Sequence, residues 1–210
     1  MNDDLNALNV TRKTGHEYLI QKGNPLENNV IEFWQWACSD LASNTMRGIF
    51  AEYIVACDLK IDMGIKPEWN AYDLITKSGI KLEMKSAAYL QTWKQHKLSN
   101  ISFDISPTKG WDASTNIYSN EIKRQADIYI FCLLKHQDKP TLNPLDLDQW
   151  IFYLLPTITL NEKKPNQQKI SLSALLKLNP MVATFGEIST TIEKIVYFIK
   201  LNKFDEINRA

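Results

Sequence analysis

Glycine is scarce in this sequence, 7 residues in 210, which argues against a loop-rich or repetitive architecture. Cysteine is scarcer still. Cys38, Cys57 and Cys132 are odd in number, none stands in C-x-x-C spacing, and each sits in an apolar stretch. That argues against a disulfide framework or a zinc ribbon and predicts reduced cysteines packed as small apolar residues. Histidine is limited to His16, His96 and His136, too far apart in sequence to suggest metal-ligand spacing. There is no Walker loop, dinucleotide fingerprint or G-x-S-x-G elbow. No apolar run approaches the roughly 18 residues of a membrane span. Residues 1–10 carry Asp3 and Asp4 and no apolar secretory core. The expected location is the cytoplasm, with no membrane partner. An excess of one charge is missing too: 24 basic side chains balance 24 acidic ones.

What is present fits an ordinary globular chain, 44% hydrophobic and 23% charged. Its length suits one domain with helical additions, burying roughly 70% of the unfolded surface. The overall charge is silent about nucleic acid, but its distribution is not. Between Lys77 and Lys97 five lysines face one acid, Glu83. A local positive field of this kind attracts phosphates.

Residues 1–26 read as a polar arm that holds at most a short helix. Apolar spacing predicts a helix over 27–43, and Ser43, Asn44 and Thr45 are N-cap candidates for a second, striped by Ile49, Phe50, Tyr53, Ile54 and Cys57. Short β-rich runs follow at 71–76, 80–89 and 101–106. Residues 111–125 are polar enough for a short helix. Residues 126–134 are nearly all apolar, as in a strand buried on both faces. Another strand is expected over 150–155, a loop over 138–148, and helices over 171–178 and 187–200. Three successive strands suggest an antiparallel meander, and the later strand a mixed sheet flanked by helices.

The sharpest feature is the segment from Tyr72 to Lys85. Lys77-Ser78-Gly79 suits a three-residue hairpin loop in which Gly79 takes positive φ. That loop pairs Thr76 with Ile80, Ile75 with Lys81, Leu74 with Leu82 and Asp73 with Glu83. Directly opposed side chains have Cβ atoms about 4.5–5.5 Å apart, and like charges so placed destabilise a sheet. A divalent cation would offset the repulsion, because Mg²⁺ is held by one or two carboxylates plus waters and phosphate oxygens. Lys85 lies on the face of Glu83, since strand side chains repeat with period two, and can stabilise charge developing on a phosphate. A second reading makes Lys81, Glu83 and Lys85 the solvated face of a strand whose Leu82 and Met84 face the core.

Asp73 followed by Glu83-Met84-Lys85 resembles the PD-(D/E)XK nuclease superfamily, with its restriction-endonuclease-like fold. Residues 47–53 are similar to the helix that carries an upstream Glu in many members, with Glu52 in the matching place. The resemblance spans roughly residues 45–135 and departs in having Tyr72 where a Pro is often found. It implies an α/β fold with a mixed β-sheet flanked by helices (αβββαβ) and extra N- and C-terminal helices. Length and periodicity suggest an arm over 1–26 and a single domain over 27–210, with a nuclease-like core at about 45–155 and a helical addition at about 170–205 that the resemblance does not account for. The resemblance further implies Mg²⁺ or Mn²⁺ on Asp73, Glu83 and the Met84 carbonyl. Glu52 would hold a water on that ion or a second ion. Lys85 would position or deprotonate the attacking water, and the substrate would be nucleic acid, DNA foremost.

Supporting residues follow the same logic. Lys81, Gln91, Trp93, Lys94 and Lys97 are candidates to touch nucleic acid, the lysines at phosphates and Trp93 by stacking on an unpaired base. Trp93 fits a core tryptophan at a helix start as well. Trp111, after Lys109-Gly110, reads either as a wedge near the site or as a satellite of the core. Three function classes stay open: a metal-dependent nuclease, a binding protein of the same fold with a vestigial site, and a structural or interaction domain. A homodimer is left open too.

Overall fold

The computed structural model describes residues 8–66, 68, 70–112 and 115–207. In chain order the elements are β1 (Tyr18–Gln21), β2 (Asn24–Asn29), α1 (Val30–Cys38), α2 (Asn44–Asp58), β3 (Leu74–Ile75), β4 (Lys81–Ala88), β5 (Ser102–Asp104), β6 (Thr108–Asp112), β7 (Ile117–Lys123), β8 (Ile128–Leu134), β9 (Trp150–Pro156), α3 (Thr157–Lys163), β10 (Lys169–Ser171), α4 (Leu172–Leu176), β11 (Met181–Ala183) and α5 (Ile188–Ile207). The fold is α/β. Its centre is a five-stranded sheet in the order β11-β9-β8-β4-β3. It is mixed: β4 and β8 run parallel, while the β3/β4, β8/β9 and β9/β11 pairs are antiparallel.

Strand β8 is the axis of the molecule, and all seven of its residues are buried. Its alternate side chains feed two cores. Ile128, Ile130, Cys132 and Leu134 pack with Leu82 and Met84 of β4 under α2 and α5. Tyr129, Phe131 and Leu133 pack with Phe103, Ile105, Leu160 and Ile170 on the other face. This is why the segment reads as a continuous apolar run rather than an alternating one. The helix over α2 begins where its cap requires, with the Ser43 hydroxyl accepting from Met46 N at 3.4 Å. Its buried face carries Ala51, Ile54 and Val55. Ile49 and Tyr53, expected in the buried stripe, are 41% and 52% exposed and line a cavity instead.

Three expectations are corrected. Residues 18–29 form the β1–β2 hairpin, turned by Lys22 and Gly23 at φ 51° and 81°. The described residues of 111–125 hold no helix: β6 and β7 make a second hairpin there. Strand β5 leaves the meander and pairs antiparallel with β10. The predicted helix at 27–43 is shortened to α1, closed at its start by a capping box between Asn29 and Glu32, and none of its residues is buried. Cys132 is buried and Cys38 and Cys57 partly so, all three free. Among the described residues no helix is long and apolar enough to cross a membrane.

Candidate active site

The site is built at the β3 edge of the sheet. The β3–β4 hairpin pairs Leu74 with Leu82 and Ile75 with Lys81, the register set by the tight loop. Thr76 N donates to Ile80 O at 2.9 Å, and Gly79 takes φ +85°. One residue before β3, Asp73 N still donates to Leu82 O at 3.0 Å. There β3 stops, and the Asp73 carboxylate takes over as acceptor: Met84 N donates to Oδ2 at 2.6 Å. A backbone donor that lost its strand partner thus fixes the first acid against the second strand.

Glu83 and Lys85 stand together on one face of β4, with Lys85 Nζ donating to Glu83 Oε1 at 2.6 Å. Both are largely enclosed, their side chains 19% and 28% exposed. Burial pushes the Glu83 pKa up, and the nearby Asp73 charge adds to it against the pull of Lys85. Burial likewise raises Asp73, against the Met84 N–H and the lysines. For Lys85, burial disfavours the ammonium, but Glu83, Asp73 and Asp104 outweigh it and its pKa is raised. Lys85 thus stands as a hydrogen-bond donor to Glu83, placed to orient a group beside it.

Glu52 approaches from α2 on the other face of the sheet. Burial and Asp73 raise its pKa, opposed by Lys66. The Lys66 ammonium lies 3.1 Å from Glu52 Oε2, yet off the direction of a hydrogen bond, so this buried oxygen has no donor. A buried carboxylate whose one counter-charge is Lys66, beside two more acids that disfavour each other's charge, is an arrangement a divalent cation would satisfy. Among the described residues no three acidic, histidine or cysteine side chains converge into a ready-made ligand cluster. Mg²⁺ needs less, since one or two carboxylates with water and phosphate oxygens suffice.

Two cavities meet at Asp73. One, of about 450 Å³, runs between Glu52 and the apolar residues Ile49, Phe50 and Tyr53 of α2. The other, of about 460 Å³, lies between Asp73, Glu83 and the β6–β7 hairpin. Of the residues expected to touch nucleic acid, Lys81 is exposed, its ammonium 5.3 Å from the centre of the Tyr72 ring. Trp93, Lys94 and Lys97 are exposed in the loop beyond β4 and line neither cavity. Gln91 is corrected: it is buried, with Nε2 donating to Ala88 O at 3.2 Å and Oε1 accepting from Arg47 at 3.5 Å. Arg47 is buried beside it and also donates to Ser86 Oγ at 3.1 Å.

Sequence reasoning missed Lys66, Asp104 and Tyr129. Tyr129 stands opposite Glu83 in the parallel β4/β8 register, and burial and the Glu83 charge push its hydroxyl pKa up. Only the strand pairing reveals it, because parallel partners lie far apart in sequence.

Fold and site together define an α/β protein with an acidic, lysine-flanked centre at a sheet edge. The model of the family described as bacteriophage T4 endonuclease IV matches residues 21–174. That span is well over half of the chain, so the chain belongs to this family, which is a nuclease family. No curated protein matches it.

Proposed function

We propose that the protein is a metal-dependent nuclease that hydrolyses phosphodiester bonds in DNA, with Asp73, Glu83 and Lys85 as its chemical centre. Family membership supports nuclease chemistry. The observation that carries the residue assignment is the hairpin geometry: Asp73 clamped on Met84 N at 2.6 Å, beside a Glu83 that is ion-paired to Lys85 at 2.6 Å. The mixed sheet flanked by helices is compatible with a restriction-endonuclease-like core, and that assignment belongs to the same proposal.

Asp73, Glu83 and the Met84 carbonyl would hold Mg²⁺ or Mn²⁺, and Glu52 would face it from α2. Such an ion, when bound, lowers the pKa of a water and neutralises charge on the scissile phosphate. The water oxygen adds to phosphorus and releases a proton to solvent, the bond to the leaving sugar oxygen breaks, and that oxygen takes up a proton from solvent. Lys85 serves this step as a positioned cation. Its ammonium holds Glu83 in place and donates toward negative charge that builds on the phosphate, where a fixed donor in a partly enclosed site acts strongly. Lys81, exposed on the same hairpin, would meet the backbone further along.

The test combines calorimetric titration of Mg²⁺ and Mn²⁺ with cleavage of plasmid, linear and single-stranded DNA and of RNA. Ion binding together with cleavage, both lost in Asp73→Ala, is the expected result. Folded wild-type protein that binds neither ion and cuts none of the substrates would overturn it.

A further inference from the structure

The β6–β7 hairpin adds no strand to the central sheet. It is a two-stranded sheet of its own, separate from the central sheet, and Ile117 and Ile122 are 64% and 65% exposed on it. A ribbon of two strands is marginal in water unless it packs on something or serves something. Its two large aromatic residues, Trp111 and Tyr118, are directly opposed across the strands and therefore share one face. Their ring centroids lie 6.4 Å apart with planes tilted by 42°. The indole is held in place by its Nε1, which donates to Asn116 Oδ1 at 3.2 Å. The register shifts between Lys109 and Trp111, and a bulge of this kind re-aims the side chains beside it.

That aromatic pair shares a cavity with the candidate centre. Trp111, Tyr118, Asn116 and Lys109 line the same cavity of about 460 Å³ as Asp73 and Glu83. The volume falls in the range of roughly 300–1,000 Å³ typical of small-ligand sites. Tyr118 is 64% exposed and Trp111 partly so, and both line this cavity. A cavity with acids on one wall, aromatic faces on the other and polar groups between them suits a flat, polar-edged aromatic group tethered to a phosphate.

We infer that the Trp111–Tyr118 face holds a nucleobase of the nucleotide at the scissile phosphate, which makes the hairpin the base-contacting wall of the active site. This rests on the proposed nuclease reading for the position of the phosphate. The base stacks on the indole and phenol rings, which accept any base face. The Asn116 amide and the Lys109 ammonium stand near its edge. The base must leave its own stack to reach the pocket, which costs least where it is unpaired.

The test uses the full chain in a Lys85→Ala background, which slows cutting, and reads binding by fluorescence anisotropy with Mg²⁺ present before appreciable cleavage. The probes are a labelled oligonucleotide and its abasic counterpart of equal length. Removing the bases is expected to weaken binding roughly 5- to 150-fold, the range that base–aromatic stacking commands. Adding Trp111→Ala or Tyr118→Ala should erase most of that difference, and Trp111→Phe should restore part of it. Circular dichroism confirms that each variant is folded. If the base and abasic probes differ equally in the parent and in both alanine variants, the inference is overturned. Cleavage kinetics separate this from the parent reading. A wild type that cuts nothing but shows the base-dependent binding overturns the hydrolytic reading and leaves the subsite standing. A wild type that cuts, with kcat/KM unchanged by Trp111→Ala and Tyr118→Ala, overturns the subsite alone.

Discussion

Replacing Asp73 by asparagine separates the two jobs this residue performs. As a hydrogen-bond acceptor it satisfies Met84 N at 2.6 Å, and as a charge it crowds Glu83 and Glu52. Two unit charges about 5 Å apart in an effective dielectric of about 20 repel by about 3 kcal/mol. Lys85 and Lys66 attract the same carboxylate and offset part of this. An asparagine oxygen still accepts the Met84 N–H, though a neutral acceptor is weaker by about 1 kcal/mol. These terms nearly cancel, so Asp73→Asn should stay within about 1 kcal/mol of wild type in ion-free buffer. Asp73→Ala strands a buried N–H and should lose about 1–3 kcal/mol. Urea denaturation of the three proteins measures both differences. Mg²⁺ at about 100 times its Kd should then stabilise the wild type by about 2.7 kcal/mol and the asparagine variant far less. Equal losses in the two variants, or equal Mg²⁺ stabilisation of Asp73→Asn and wild type, would refute the reasoning.

Other parts of the molecule can be tested the same way. Arg124 is buried and donates to Ile105 O at 2.8 Å, Asn161 Oδ1 at 2.9 Å and Lys164 O at 2.9 Å, tying β5, α3 and the segment after it together. Arg124→Met should cost about 1–3 kcal/mol in denaturant, because the buried Ile105 carbonyl is left without its donor, and a loss under about 1 kcal/mol would count against this network. Gly79→Ala should cost about 1 kcal/mol, since an L side chain is strained at φ +85°; an unchanged denaturation midpoint would contradict the turn geometry. Glu17 accepts from Thr14 N and Gly15 N at 3.0 Å each, and these bonds hold its pKa down to about 2 from 4.5. With the folded value depressed, its contribution is present above about pH 4.5 and fades as pH falls toward 2. An NMR titration of Glu17 with its midpoint near 4.5 would show those bonds do not form in solution.

The candidate site was legible in the sequence because its geometry is local. A glycine with positive φ and a three-residue loop fix the register, and the register sets Leu74 against Leu82 and Ile75 against Lys81, with Asp73 N donating to Leu82 O one residue further on. The cap at Ser43 and the buried strand β8 were legible for the same reason, each being marked by a short run of residues. What failed depends on distant partners. Strand β5 pairs with β10 some 65 residues further along, which no local pattern announces. The hairpins β1–β2 and β6–β7 are exposed on both faces, so they lack the alternation that marks a strand. The β1–β2 turn also uses Lys22 where asparagine or aspartate is the usual signal. Gln91 looks like a surface amide until Arg47 is found buried beside it, 44 residues away in sequence.

The most direct measurement is single-turnover cleavage of plasmid DNA by wild type and Lys85→Ala, in Mg²⁺, in Mn²⁺ and with the ions chelated. Among the described residues Lys85 touches Glu83 at 2.6 Å and no other acid by hydrogen bond or ion pair, so its removal tests the centre directly. Wild type should cut only with an ion present, and Lys85→Ala should be slower by about 100- to 1,000-fold, as when one transition-state donor is lost. Cleavage that persists without divalent ions, or a folded Lys85→Ala that cuts at the wild-type rate, would contradict a metal-dependent nuclease centred on Asp73, Glu83 and Lys85.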